Sequence, residues 1–208
     1  MDSFKELVQE LCPDGIEYGT LGDIGPICMC KRILKSQTTN DASGVPFYKI
    51  GTFGGSANAY ISWELYNLYK EKYAYPNKGD VLISAAGTIG RTVVFDGKPA
   101  YFQDSNIVWI SNDETKILNT FLNYYYQTSP WRITEGGTLP RLYNDNILKT
   151  RVPIPSKEIQ LYIVSTLDML SKQNAEIKKE LLAELNARQK QFDYYRYSMF
   201  DIKEKKHE

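Results

Sequence analysis

From Ser156 to Glu208 the chain contains neither proline nor glycine. Apolar residues recur within this stretch at Ile163, Leu167, Leu170, Ile177, Leu181, Leu185, Phe192, Tyr195 and Met199, with Asn174 and Arg188 at the intervening positions. The steps alternate four and three, apart from one pair of fours across Ile177, Leu181 and Leu185, which is a heptad seam with a single stutter. Ser156 suits the N-cap and Glu158 suits the positive end of the helix dipole. A helix is therefore predicted over residues 156–200, followed by a charged tail at 201–208. Some 44 residues of helix would run ~66 Å, whereas a compact domain of ~155 residues has a radius of gyration of only ~15 Å. Such a helix cannot lie wholly on its own domain, so its apolar stripe must meet another helix. A broken helix folded back as a hairpin is the alternative, and the lack of any Gly or Pro counts against it. Asn174 on the seam fits either a register-setting polar residue or a solvated one.

Residues 1–155 read differently. Gly, Pro, Asn, Thr and Tyr are frequent from residue 14 onward, and short β-type runs recur: "VPFYKIGTF", "DVLISAAG", "RTVVFDG", "NIVWIS" and "TRVPIPS". Turn signals such as Asp96-Gly97 and Asn112-Asp113 separate them. Helical patches fall near residues 62–72 and 118–129. The expected fold class is α+β: a mixed, mostly antiparallel β domain over 1–155, followed by one long C-terminal helix that forms a coiled coil. The stretch "GDVLISAAGTIGR", residues 79–91, reads as strand, tight turn and strand, with Gly87 and Gly90 supplying either the turn dihedrals or a close backbone approach.

Composition excludes several classes. An apolar share of 42% with 16 Tyr and 8 Phe is ample for a core. The apolar runs fall far short of the ~20 residues a membrane span needs. The opening "MDSFKELVQELCPDG" is a charged amphipathic segment, unlike a secretory signal. Cys12, Cys28 and Cys30 form no CxxC pair and read as reduced, structural thiols, so a cytoplasmic location is expected.

The lone histidine is His207, which leaves no imidazole for acid–base or metal work in the folded part. No metal-ligand cluster, GxxxxGK[ST] loop or GxGxxG turn is present, nor is the Asp/Asn-Pro-Pro-aromatic tetrad of amino-methyltransferases. The chain is therefore expected to be no enzyme, with no metal and no cofactor of its own. Lys plus Arg equals Asp plus Glu, so a nucleic-acid partner would require the basic groups to be gathered on one face.

Two segments together carry a resemblance: "GTLPRLYNDNILKTRVPIPSKEIQLYIVSTLDML" at residues 137–170 and "ELLAELNARQKQFDYYRYSMF" at residues 180–200. The opening "LCPDGIEYGTLGDI", residues 11–24, adds to it. The chain resembles the specificity (S) subunit of type I restriction–modification systems. There a target-recognition domain passes through a Gly-Thr segment and a "PIP"-like strand into a long helix ending in an Arg/Lys-Gln-aromatic-Tyr-Tyr-Arg stretch. The likeness brackets nearly the whole chain, is specific at both ends and is weak in the middle. A complete subunit of that family carries two recognition domains and two long helices; one of each is present here.

The resemblance implies a half-length form acting as a homodimer with its helices packed antiparallel. It implies double-stranded DNA as the ligand and type I methyltransferase (M) subunits as partners, with a translocating nuclease (R) subunit as an optional third member. The adenine-methylating chemistry and S-adenosylmethionine would then reside on the M subunits. Reading DNA calls for phosphate contacts that fix register and base-edge contacts that specify. Four loop segments supply suitable groups: Lys31, Arg32, Lys35, Gln37 and Asn40; Lys49, Thr52, Ser56 and Asn58; Gln103, Ser105 and Asn106; and Thr138, Arg141, Tyr143 and Asn144. Ser84, Thr88 and Arg91 of the 79–91 stretch are further candidates, for phosphate rather than base. The helix residues expected at the dimer or partner contact are Ile163, Leu167, Leu170, Asn174, Ile177, Leu181, Leu185, Phe192 and Tyr195.

A C2 dimer presents identical readers in opposite senses, so its target would be two inverted copies of one half-site. A ~66 Å helix limits their separation to roughly 19 base pairs. A coiled-coil homodimer whose Tyr-rich β domain binds protein or glycan is the competing reading. A DNA-mimicking decoy would want strong negative charge, which the neutral balance disfavours.

Overall fold

The computed structural model of the chain describes residues 2–131 and 141–201. It divides into two compact units, Met1–Val164 and Ser165–Glu208. The elements run α1 (Asp2–Leu11), β1 (Glu17–Thr20), α2 (Leu21–Ile24), β2 (Ile27–Cys28), β3 (Val45–Tyr48), β4 (Tyr60–Ile61), α3 (Trp63–Lys72), β5 (Val81–Ser84), β6 (Thr92–Val94), β7 (Tyr101–Phe102), β8 (Ile107–Ile110), α4 (Asn119–Gln127), α5 (Asn144–Leu148), β9 (Arg151–Ile154) and α6 (Lys157–Phe200).

The centre of the first unit is a four-stranded antiparallel sheet in the order β2-β8-β5-β6. Its two middle strands are continuous apolar runs because both of their faces are covered. Side chains alternate between faces along a strand. Val81, Ile83, Val108 and Ile110 thus enter one core with Phe121, Leu122 and Tyr126 of α4, while Leu82, Ile107 and Trp109 enter a second. The second core is closed by the three-stranded sheet β4-β3-β7 and by Tyr66 of α3. Among the described residues β3 with β7 is the parallel pairing and the remaining ladders are antiparallel. The mixed, mostly antiparallel α+β fold read from the sequence is the fold observed. Tyr66, Tyr101 and Tyr126 are buried in the two cores, while others such as Tyr18, Tyr73 and Tyr143 stay exposed.

A separate ladder pairs β1 with β9, and Pro153 stands opposite Tyr18 in it. A two-stranded ladder has only edges, where a residue without an N–H is tolerated. β9 leads directly into α6. The Ser156 hydroxyl accepts from Ile159 N–H at 3.4 Å, as the N-cap reading required. Gln160 then does what no periodicity suggests. It is fully buried, accepts from Leu118 N–H at 2.8 Å, and donates to the carbonyls of Lys116 at 3.0 Å and Pro155 at 2.9 Å. This amide ties the entry of α6 to the entry of α4. Phe4 of α1 stacks on Tyr162 with ring centroids 5.8 Å apart.

Ile163, assigned by periodicity to the helix seam, packs instead against the first core. That assignment is corrected: the same four-three spacing serves the domain up to Val164 and a different surface beyond it.

Within the second unit, α6 continues to Phe200 without a break. Its seam residues are uncovered there: Leu170, Ile177, Leu181, Leu185, Phe192 and Tyr195 are each at least 45% exposed. The polar faces carry short-range pairs, Glu184 with Arg188 at 2.7 Å and Asp193 with Arg196 at 2.9 Å, which support a helix locally. Asn174 is likewise exposed. Among the described residues no helix is long and apolar enough to cross a membrane.

Candidate nucleic-acid interface

The connection from β7 to β8 is four residues long: Gln103, Asp104, Ser105 and Asn106. So short a link between strands of different sheets needs a sharp reversal, and Ser105 supplies it with φ +59°. Each residue of this turn holds a different segment of the chain. Gln103 Oε1 accepts from Ile50 N–H at 2.9 Å, and its own N–H donates to Tyr48 O at 2.9 Å. The Asp104 carboxylate receives Arg32 Nε at 2.8 Å. The Ser105 carbonyl receives Arg141 Nη2 at 2.8 Å. The Asn106 carbonyl receives Ala85 N–H at 2.8 Å.

Segments around residues 32, 50, 85 and 141 thus converge on one turn. Arg141 is fixed twice, since its backbone also bridges Ala86 and Leu142 N–H donates to Ala85 O at 2.8 Å. The result is a concavity of about 420 Å³ lined by Arg32, Lys35, Lys49, Gln103, Asn106 and Arg141, among others. A second concavity, of about 590 Å³, shares Ser105 and Arg141 and is lined further by Tyr143 and Asn144. Neutral overall charge therefore conceals a local gathering of cations. Lys35, Lys49 and Arg141 take part in none of the ion pairs among the described residues. Lys31 lies beside this group with its ammonium 5.1 Å from the centre of the Tyr73 ring.

The structure sorts the remaining sequence candidates. Thr52 is spent locally: its hydroxyl accepts from Lys49 N–H at 3.1 Å and donates to Lys49 O at 3.2 Å, closing the turn that presents Lys49. Gln37 is spent in the same way, accepting from Leu34 N–H at 2.8 Å. Asn40, Ser56 and Asn58 are exposed. Thr138 lies outside the described residues.

The 79–91 stretch is a hairpin, β5 to β6, with Gly87 at φ +65° and Gly90 at φ +76°. Ser84 is corrected: it is 1% exposed, its hydroxyl donates to Thr88 O and accepts from Arg91 N–H at 2.9 Å, and it faces no solvent. As the last residue of β5, it closes the turn from inside the fold. Thr88 and Arg91 line a different concavity, with Asn123, Gln127 and Ser129. Arg91 is partly committed, donating from Nη1 to Phe53 O at 2.9 Å. The hairpin group is therefore not part of the main cluster.

One residue of this site escaped the sequence reading. Asp104 organises the site although an acid at a DNA interface looks misplaced, and only its contact with Arg32 reveals its use. Cys30, read from the sequence as a structural thiol, is buried, and burial pushes its thiol up to about 12, the behaviour of an inert core cysteine.

The sequence model of one family, described as "Type I restriction modification DNA specificity domain", matches residues 13–187. Over 176 residues the chain is 56% identical to a Haemophilus influenzae protein named "Putative type I restriction enzyme specificity subunit S.HindORF215P", covering 85% of this chain and 46% of that protein. It is 36% identical over 101 residues to the Escherichia coli "Type I restriction enzyme EcoR124I/EcoR124II specificity subunit", covering 45% of this chain and 24% of that one. The chain spans less than half the length of either relative. Both are named as specificity subunits. In fold it is similar to the crystal structure of the HsdS subunit from Thermoanaerobacter tengcongensis, with a TM-score of 0.57 at 21% identity over 85% of this chain and 44% of that one.

Proposed function

The chain belongs to the type I restriction–modification DNA specificity family, and from that premise we propose that its first unit reads one short half-site of double-stranded DNA. The observation that carries this reading is the convergence of four distant segments on the 103–106 turn, which gathers Arg32, Lys35, Lys49 and Arg141 around one concavity. Lysines without a carboxylate partner among the described residues suit phosphates, while amide and guanidinium groups in the same hollow suit base edges. Lys31, Gln103, Ser105, Asn106, Tyr143 and Asn144 complete the reader. Thr52 serves it by shaping the Lys49 turn, and Thr88 and Arg91 contribute a separate phosphate contact from the hairpin.

The chain performs no chemistry in this account. It directs an adenine methyltransferase, whose subunits hold S-adenosylmethionine, and a nuclease subunit where one joins the complex. It acts as a half-subunit that homodimerises through α6. The exposed seam from Leu170 to Tyr195 supports this, because a sustained apolar stripe of this kind is stable in water only when covered. The domains of the working protein are then a reader at 1–155, a dimerising and spacing helix at 156–200 and a charged tail at 201–208. The protein- or glycan-binding alternative is not favoured, since the family matched over residues 13–187 is one of DNA specificity domains.

Fluorescence anisotropy with labelled duplex DNA at rising salt tests the reading. Binding through several phosphates falls steeply with salt, with a slope of about −0.9 per phosphate neutralised. No binding at low salt, with the methyltransferase present, would rule it out.

A further inference from the structure

We propose that Arg32, held by Asp104, is the base-reading arginine of the site and addresses the acceptor edge of one guanine, while Lys35 and Lys49 beside it hold phosphates. The inference deepens the DNA-reading function and rests on it. Its basis is the asymmetry of the pair. The Arg32 side chain is 68% exposed and that of Asp104 only 15%. An ordinary surface ion pair must immobilise two mobile side chains and contributes little. Here one partner is already fixed. Asp104 sits in a turn whose flanking residues are tied to Ile50, Arg141 and Ala85, so only the arginine has to be ordered.

The contact is made through Nε at 2.8 Å. Among the described residues Nη1 and Nη2 have no partner, so the outward edge of a planar, pre-aimed fork is left for a ligand. That fork is a poor phosphate clamp, because the carboxylate cancels the charge a phosphate seeks and repels the phosphate itself. Guanine presents two neutral acceptors, O6 and N7, and asks for geometry rather than net charge. Lys35 and Lys49, which line the same concavity and have no carboxylate partner among the described residues, carry the uncompensated charge. Arg141 differs again: its guanidinium donates to a backbone carbonyl and has no carboxylate partner among the described residues.

Two variants of the full chain give opposite readouts that a structural role alone would not produce. Each is assayed by selection from a randomised duplex library and by the salt dependence of binding to random-sequence duplex. Asp104→Asn releases Arg32 and leaves its charge uncompensated. Its salt slope is expected to steepen by about one, while the preference for one guanine falls roughly ten-fold. The double variant Arg32→Ala with Asp104→Asn keeps the net charge of the pair. It is expected to retain the wild-type salt slope and to lose discrimination at that one position by roughly ten- to hundred-fold, other positions being unchanged.

A double variant whose slope flattens by about one while its motif survives would overturn the proposal, making Arg32 a phosphate contact. So would an Asp104→Asn chain with unaltered preference. A wild-type chain that enriches no motif would remove the DNA-reading function itself, an outcome distinct from both.

Discussion

Arg141 donates from Nη2 to the carbonyl of Ser105 at 2.8 Å, while its own backbone bridges Ala86 at the end of β5. One arginine thus joins the 103–106 turn to the hairpin strand. It does so at a residue with a left-handed φ of +59°. Arg141→Ala is expected to weaken duplex binding roughly ten- to hundred-fold, as the loss of a guanidinium contact does. Arg141→Lys, which keeps the charge but not the planar fork, should restore little of it. Anisotropy titrations of both variants decide this, and full rescue by lysine would reduce Arg141 to a point charge.

Gln160 is the polar staple between α4 and α6. Gln160→Ala leaves Leu118 N–H and the carbonyls of Lys116 and Pro155 without their partner in a buried setting. The expected cost is about 2–4 kcal/mol, near the upper end for a single substitution. Urea denaturation measures it, and a loss below about 1 kcal/mol would mean that water or a neighbour replaces the amide.

Asp80 gives the fold a pH dependence of defined sign. Burial pushes its carboxyl above the usual range, against the bond it accepts from Asn77 N–H at 2.8 Å. A carboxyl that binds its proton more tightly when folded handicaps the native state wherever it is ionised, and the handicap fades as pH falls through the folded value. Asp80→Asn keeps an acceptor for Asn77 and removes the charge. Its melting temperature at neutral pH should equal or exceed that of the wild type, and the difference should shrink as pH falls from above the ordinary carboxylate range into it. A variant markedly less stable at neutral pH would show that the charge itself is needed.

The helix seam is tested by charge. Leu181 and Leu185 are 70% and 64% exposed within their unit, so converting both to Asp costs the monomer little. Two like charges on each helix should nonetheless break a coiled coil, shifting the native mass from dimer to monomer while the circular dichroism of the β unit persists. An unchanged mass would place the dimer contact elsewhere.

The legible parts of this protein are those in which one local rule suffices. The runs at Val81 and Ile107 read as strands because they are short, continuous and flanked by turn residues. The long helix reads from the absence of any residue that could end it. The less legible parts depend on what lies opposite. Ile163 and Leu181 obey the same spacing, yet only the first meets a core. Ser84 resembled a surface hydroxyl until the hairpin closed over it. Asp104 and Gln160 have partners 72 and 42 residues away, and no window along the chain contains both ends of such a bond. The candidate loops were recognisable as a set because four of them share one chemistry, but their convergence on the 103–106 turn is a property of the fold alone.

The most direct measurement is methylome sequencing of cells in which this chain and a type I methyltransferase are the sole source of adenine methylation. The account predicts methylated sites made of two inverted copies of one short half-site, separated by no more than roughly 19 base pairs given a helix of about 66 Å. Two unrelated half-sites, or no motif at all, would contradict it.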